Sequence, residues 1–423
     1  MVDRVSDKRT APGAPGSADS ARRVRRRASR SARAQRFRAR SQRRRRQLWG
    51  RVGVGLLIVV AVVAVVFGPR LGSPPEPSDD YRGAGRHDLM ITVAEGDSTT
   101  AIAQKLQDHG VIKSVPVFVD KAHGNAAISA IQPGFYVLRT EISAADAIAR
   151  LVDPKNRVGK LTVPEGRQLD DTTDLKSGVV TPGIFTLISR ATCMELDGHQ
   201  HCVATDDLRA AARAASVAEL SVPEWASGPV TALGDDHRRI EGLIAPGTVN
   251  VDPTGSANTV LAGLIGASAV TYAQAGLLDA AAAQGRAPYD ILVVSSLVQQ
   301  EAKAPDFPKV ARVIDNRLRA RRKLEFDSTV NYPLDRRAVA TSDADRRRVT
   351  PWNTYASSGL PATPICSPGV DALRAAESPE PGNWLYFVTV DAQGNTLFTE
   401  DYQQHLANID LAKRNGFLEG APR

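Results

Sequence analysis

The residue best placed to do chemistry is Glu301, in the run Asp290-Ile-Leu-Val-Val-Ser-Ser-Leu-Val-Gln-Gln-Glu-Ala-Lys303. Asp290 stands where an N-cap belongs, and Ile291, Val294, Leu297, Val298 and Ala302 recur at helical spacing. Glu301 follows Val294 by seven positions, Leu297 by four and Val298 by three, so it shares their apolar stripe. A carboxylate in that setting costs on the order of several kcal/mol unless it is protonated or paired. A raised pKa would equip it as a general acid at neutral pH. The alternative is a buried structural glutamate paired with Arg312 or Arg317, and spacing alone leaves both open.

The elements that must position this helix are mixed. Leu89 to Val93 alternates as a strand, Glu95-Gly96-Asp97 turns, and Thr99 to Leu106 forms a short amphipathic helix. A second helix starts near Val115, Gly134 to Leu138 reads as a strand, and Ser143 caps a helix to Leu151. Leu161-Thr-Val-Pro-Glu-Gly166 then echoes Ile91-Thr-Val-Ala-Glu-Gly96, placing Glu165 and Glu95 at turns. A further helix is expected over Pro308 to Arg319. Aromatic residues make up only 5% of the chain, so its core must rest on Leu, Val, Ile and Ala. The fold class is α+β, with a small strand–helix–helix–strand module followed by a larger mixed α/β domain.

The N-terminal region differs in kind. Leu48 to Pro69 is hydrophobic but for Arg51, and its 16-residue uncharged core, Val52 to Phe67, spans about 24 Å as helix. With Leu48 and Trp49 extending it and Arg51 snorkelling, this predicts one transmembrane helix; a cleaved signal peptide is the weaker alternative, since a long tail precedes the block and no small-x-small pattern follows it directly. Residues 1–51 carry 18 Lys and Arg against 3 Asp, while the remainder carries 36 basic and 43 acidic side chains. The net +8 therefore belongs to the tail. Such a tail beside a span is expected to stay cytoplasmic, so that the chain beyond Pro69 is exported, and to touch anionic lipid rather than nucleic acid. The expected organisation is a basic disordered tail (1–47), the span (48–69), a Pro/Gly-rich linker (70–88), the small module (89–160), the larger domain (161–415) and a short tail (416–423). Within the larger domain, 175–230 shows little periodicity and reads as an insertion of uncertain role.

Cys193 and Cys202 bracket Cys-Met-Glu-Leu-Asp-Gly-His-Gln-His-Cys. Outside the membrane the pair favours a disulfide over free thiols. With His199 and His201 it could hold zinc, but the spacing fits no common structural site. Cys366 is left over and is expected to be buried.

Several motifs stand in an order that resembles one family. They are Val294-Ser-Ser-Leu-Val-Gln-Gln-Glu-Ala-Lys303, Asp315-Asn-Arg-Leu318, Leu324-Glu-Phe-Asp-Ser-Thr-Val-Asn-Tyr332 and Pro351-Trp-Asn-Thr-Tyr355. Gly359-Leu-Pro361, Pro364-Ile-Cys-Ser-Pro-Gly369, Leu385-Tyr-Phe-Val388, Phe398 and His405 come next, and Arg239-Ile-Glu-Gly-Leu-Ile-Ala-Pro-Gly-Thr248 lies upstream. Together, over residues 89–412, they resemble the endolytic murein transglycosylases, the YceG-like family, and residues 90–165 resemble its LysM-like module. The resemblance implies a single-pass plasma-membrane enzyme that cuts MurNAc–GlcNAc β-1,4 bonds inside peptidoglycan glycan strands. It would leave 1,6-anhydro-MurNAc ends.

By the same resemblance Glu301 is the single general acid/base. Asp327, Asn353, Thr354, Tyr355 and Glu241 are expected as substrate-contacting or supporting residues, although Asn353 and Thr354 also suit loop architecture and Glu241 a helix-end charge. No metal or organic cofactor is implied, and cell-wall synthases are expected as partners. The chain departs from the family pattern at Leu243, Ala245, Gly247 and Val249, at Ser328 where proline is usual, and at Thr396 where histidine is usual. Glutamines precede Glu301 where an acidic residue is common, which is expected to leave it as the only carboxylate on the helix that follows the Asp290 cap. The competing classes are a non-catalytic wall-binding scaffold tethered to the membrane and a hydrolytic muramidase.

Overall fold

The computed structural model describes residues 80–337 and 341–416; the expected basic tail, membrane span and first part of the linker lie outside them. Among the described residues no single helix is long and apolar enough to cross a membrane.

The first unit is built as its alternation and caps dictate. Strand β1 (Asp88–Val93) is followed by α1 (Thr99–Asp108), α2 (Val115–Ala122), β2 (Gly134–Arg139), α3 (Ala144–Val152) and β3 (Arg157–Val158). Ser98 and Ser143 cap α1 and α3 through hydroxyls that accept from Ala101 N–H and Asp146 N–H. The sheet order is β1-β2-β3, antiparallel, with Asp88 opposite Arg139 and Val93 opposite Gly134. Ile91, Ile102, Leu106, Phe118, Tyr136, Leu138, Ile148 and Leu151 form a core of its own. The end of the expected linker is part of this unit: Ala84 bridges Ile142, Arg86 N–H donates to Thr140 O, and Thr140 N–H donates to His87 O. Gly85 permits that docking, because its φ is +81° and a Cβ there would meet the Ile142 side chain at 2.7 Å.

The larger region opens with β4 (Lys160–Val163), β5 (Thr172–Asp174) and β6 (Val180–Thr181). Then come α4 (Ile184–Thr192), the hairpin β7 (Met194–Leu196) and β8 (His199–His201), α5 (Thr205–Ala214), α6 (Glu224–Ala232) and β9 (Gly247–Asn250). Within 175–230, Ile184, Phe185, Ile188, Leu208, Ala212, Ala226 and Val230 sit in the main core. The helices of this stretch are short, at nine or ten residues each, which blurs periodicity without weakening burial. Asp197 and Gly198, both at positive φ, turn the hairpin, and Cys193 is disulfide-bonded to Cys202. Cys366 is buried and free. The region continues through α7 (Ala257–Ala275), α8 (Leu277–Gln284), α9 (Pro288–Glu301), α10 (Phe307–Arg319), α11 (Asp327–Asn331), β10 (Arg336–Arg337) and α12 (Asp343–Arg347). It closes with α13 (Val370–Glu377), β11 (Tyr386–Thr389), β12 (Thr396–Thr399) and α14 (Tyr402–Arg414).

Helix α9 is the centre of this region. Tyr289 and every residue from Ile291 to Val298 are buried. Ser295 and Ser296 are tolerated there because their hydroxyls donate to Ile291 O and Val293 O. The apolar stripe inferred from sequence is thus one sector of a helix enclosed on all sides. Its N-cap is Ala287 with Pro288 at the first helical position, so Asp290 lies in the first turn and does not cap it.

Candidate active site

Glu301 ends α9, and Ala302 leaves helical geometry immediately after it (φ −144°, ψ 176°). The final turn is tied to two loops. Gln300 Nε2 donates to Gly166 O at 2.9 Å, and Gln299 Oε1 accepts from Gly369 N–H at 2.8 Å. The two glutamines that stand before Glu301 therefore pin the helix end to the Glu165-Gly166 turn and to the start of α13.

The Glu301 side chain is partly exposed. Ser328, in the first turn of α11, donates its hydroxyl to Glu301 Oε1 in a short hydrogen bond. Burial pushes the Glu301 carboxyl up to about 7; the Ser328 hydroxyl and main chain and the Arg317 charge pull it down, while neighbouring Asp327 pushes it further up. Its place at a helix C-terminus disfavours the carboxylate in the same direction as burial.

Among the described residues Glu301 forms no ion pair. Arg317 donates to Leu324 O (2.7 Å), Leu385 O (2.6 Å) and Lys323 O (3.2 Å). Arg312 donates to Glu380 O and Pro379 O. The structural alternative, a glutamate neutralised by one of these guanidinium groups, is therefore not what the chain builds.

The other candidates divide. Asp327, beside Ser328, accepts from Thr341 Oγ1 (2.5 Å), Tyr355 Oη (2.9 Å) and both Nε and Nη2 of Arg346 (3.3 Å each). The Arg346 guanidinium also lies over the Tyr355 ring, 5.0 Å from its centroid. Asp327, Arg346 and Tyr355 are partly exposed and Thr341 is buried; Asp327 and Tyr355 lie within electrostatic reach of Glu301. Asn353 and Thr354 are buried, and their polar groups are engaged inside the fold. Asn353 Nδ2 donates to Arg348 O (2.5 Å) and Arg346 O (3.0 Å), and its Oδ1 accepts from Tyr355 N–H. Thr354 Oγ1 accepts from Phe326 N–H at 3.0 Å and pairs with Thr329 Oγ1 at 2.9 Å. They hold the loop that carries Tyr355 and the entry to α11.

Glu241 is only 1% exposed. Its Oε2 accepts from Leu169 N–H (3.1 Å) and Tyr332 Oη (2.9 Å), bracing the residue that succeeds α11. Burial pushes its carboxyl up to about 8, so it is largely protonated at neutral pH.

Sequence reasoning missed Ser328 as a partner of Glu301, and Thr341 and Arg346 as anchors of Asp327. A cavity of about 350 Å³ between β9 and α7, with Phe135 and Val163 in its wall, does not include Glu301. No group of three or more metal-binding side chains occurs among the described residues.

Residues 91–411 match the YceG-like family. A relative named endolytic murein transglycosylase, from Bacillus subtilis (strain 168), is 24% identical over 81% of this chain and 88% of its own. One of the same name from Streptococcus pneumoniae (serotype 2, strain D39) is 22% identical over 76% of this chain, which spans only 58% of that longer protein. A solved structure of a YceG-like protein from Listeria monocytogenes aligns with a TM-score of 0.47 and 23% identity, over 76% of this chain and 98% of that one. The match extends over most of the chain, from β1 into α14, and places it in the YceG-like family.

Proposed function

We propose that the chain is a membrane-anchored lytic transglycosylase that cleaves MurNAc–GlcNAc β-1,4 bonds within peptidoglycan strands, with Glu301 as its single general acid/base. The observation that carries the reading is a carboxyl at the end of a buried helix, unpaired with any guanidinium among the described residues and raised to about 7, so that a large share of it is protonated near neutral pH. Relatives that bear the name endolytic murein transglycosylase support the substrate class.

In this reaction the Glu301 proton passes to the glycosidic oxygen as the C1–O bond breaks, releasing a GlcNAc hydroxyl. The sugar's own C6 hydroxyl attacks C1, and its proton returns to the Glu301 carboxylate. The acid is regenerated and no water is consumed. One carboxyl group suffices, whereas a hydrolase needs a second carboxylate or a positioned water. The neighbouring carboxylate, Asp327, has its oxygens engaged by Thr341, Arg346 and Tyr355, which favours the one-carboxyl route.

The first unit, with its β–α–α–β order, is proposed to hold glycan as a LysM-like module. Residues 48–69 are proposed as the single span, with the N-terminus cytoplasmic and the catalytic region outside the plasma membrane. A Cys193–Cys202 disulfide suits that compartment. Cell-wall synthases, which make strands at the membrane, are the proposed partners.

The test is digestion of uncrosslinked glycan by the full chain in detergent, read by mass spectrometry. Ends one water lighter than hydrolysis products, lost in Glu301→Gln, are expected. Hydrated reducing ends would make the enzyme a muramidase, and undiminished cleavage by Glu301→Gln would end the assignment of this residue.

A further inference from the structure

We propose that Ser328 is a positioning residue that assigns the reactive proton of Glu301 to Oε2 and holds the carboxylate once that proton has left. This rests on the reading of Glu301 as the acid and goes beyond it. A glutamate side chain has three rotatable bonds, and Glu301 sits where α9 stops, so its own helix does not fix the carboxyl plane. Ser328 does: its hydroxyl donates to Oε1, and its main-chain N–H also favours the ionised carboxyl. A hydroxyl that donates to Oε1 makes that oxygen the carbonyl of the protonated acid. The proton must then reside on Oε2. After transfer, the same donor stabilises the charge in a site where burial, the helix end and Asp327 all oppose it.

The donor is held independently of its bond to Glu301. Thr329 Oγ1 donates to Phe326 O at 2.6 Å, Phe326 N–H donates to Thr354 Oγ1, and Asp327 is gripped by Thr341, Arg346 and Tyr355. The first turn of α11 therefore keeps its place without the Ser328 hydroxyl, and Ser328→Ala is expected to fold. The charged and titratable groups around Glu301 are Asp327 from α11, Arg317 from α10 and Tyr355 from the loop after α12; Arg346 of α12 reaches Asp327. None of them is changed by the substitution.

The experiment uses the full chain labelled with ¹³C at glutamate carboxyls, the Glu301 resonance being the one absent from Glu301→Gln. In Ser328→Ala the Glu301 titration is expected to move upward by about one pH unit, the size of a lost charge-assisted hydrogen bond. Ser328→Thr, which keeps the hydroxyl, should restore it. The alkaline limb of glycan cleavage should shift with the titration, and turnover at pH 6 should fall roughly tenfold because the nascent carboxylate loses its donor. A titration unchanged in Ser328→Ala, or Ser328→Thr behaving like Ser328→Ala, overturns the proposal. Glycan cleavage that survives in Glu301→Gln would sink the catalytic reading instead, and the resonance still reports whether Ser328 governs the carboxyl.

Discussion

Replacing Glu241 with glutamine should make the protein progressively more stable relative to its parent as pH rises. The carboxyl is buried and its ordinary value of 4.5 is raised to about 8. A group whose folded pKa lies above its unfolded value contributes its full share of stability below about 4.5. It loses that share as pH climbs through the window to about 8, at about 1.4 kcal/mol per unit. Between pH 5 and pH 8 the loss amounts to about 3 to 4 kcal/mol. Glutamine cannot ionise, yet its carbonyl still accepts from Leu169 N–H and Tyr332 Oη, which now meet at Oε2. Urea unfolding of parent and Glu241→Gln at pH 5, 6.5 and 8 isolates the term, because subtracting the two curves cancels Glu301 and the other titrating groups. The difference should widen with pH. A constant difference would mean that Glu241 is ionised in the folded protein, and the bracing role of a neutral acid beneath α11 would be wrong.

Two further perturbations test the scaffold. Thr354→Val keeps the shape but leaves Phe326 N–H without its acceptor, so stability should fall by about 1–3 kcal/mol in urea unfolding; no change would show that the bond is dispensable. Cys193→Ser opens a disulfide spanning nine residues of separation and should cost about 2–3 kcal/mol relative to the oxidised parent. Reductant should lower the parent's unfolding midpoint by the same amount and leave the variant's unchanged.

How legible the molecule was in its sequence differs from part to part. The first unit was legible because Ser98 and Ser143 are local caps and its strands alternate; both signals act over a few residues. Glu301 was legible for a related reason, since a charge in a hydrophobic stripe is visible at helical spacing. What spacing could not show is that α9 is enclosed all round, which depends on contacts with α10 and α13 made by the fold as a whole. Asp290 looked like a cap because Asp favours that place, yet Pro288 starts the helix two residues earlier. Asn353 and Thr354 carry hydrogen-bonding groups suited to a sugar, and only tertiary structure reveals that Arg348, Tyr355 and Phe326 already occupy them. Ser328 was visible only as a departure from the family pattern, because its partner lies twenty-seven residues away.

The hairpin tip at Asp197 reaches back to the first strand. Asp88 N–H donates to Asp197 Oδ1 at 2.8 Å, and Asp197 N–H donates to Asp88 Oδ2 at 3.0 Å. On the other side, Arg157 bonds Asn250 Oδ1, and Asn250 Nδ2 bonds Pro133 O. Two stays set apart in this way remove the swivel that a single junction would leave. On the proposed reading, a glycan strand held by the first unit would then meet Glu301 at a constant offset, and the body would act as a ruler. Asp197→Ala should slacken that gauge and broaden the spread of fragment lengths without slowing each cut; an unaltered spread would mean that the gauge lies elsewhere.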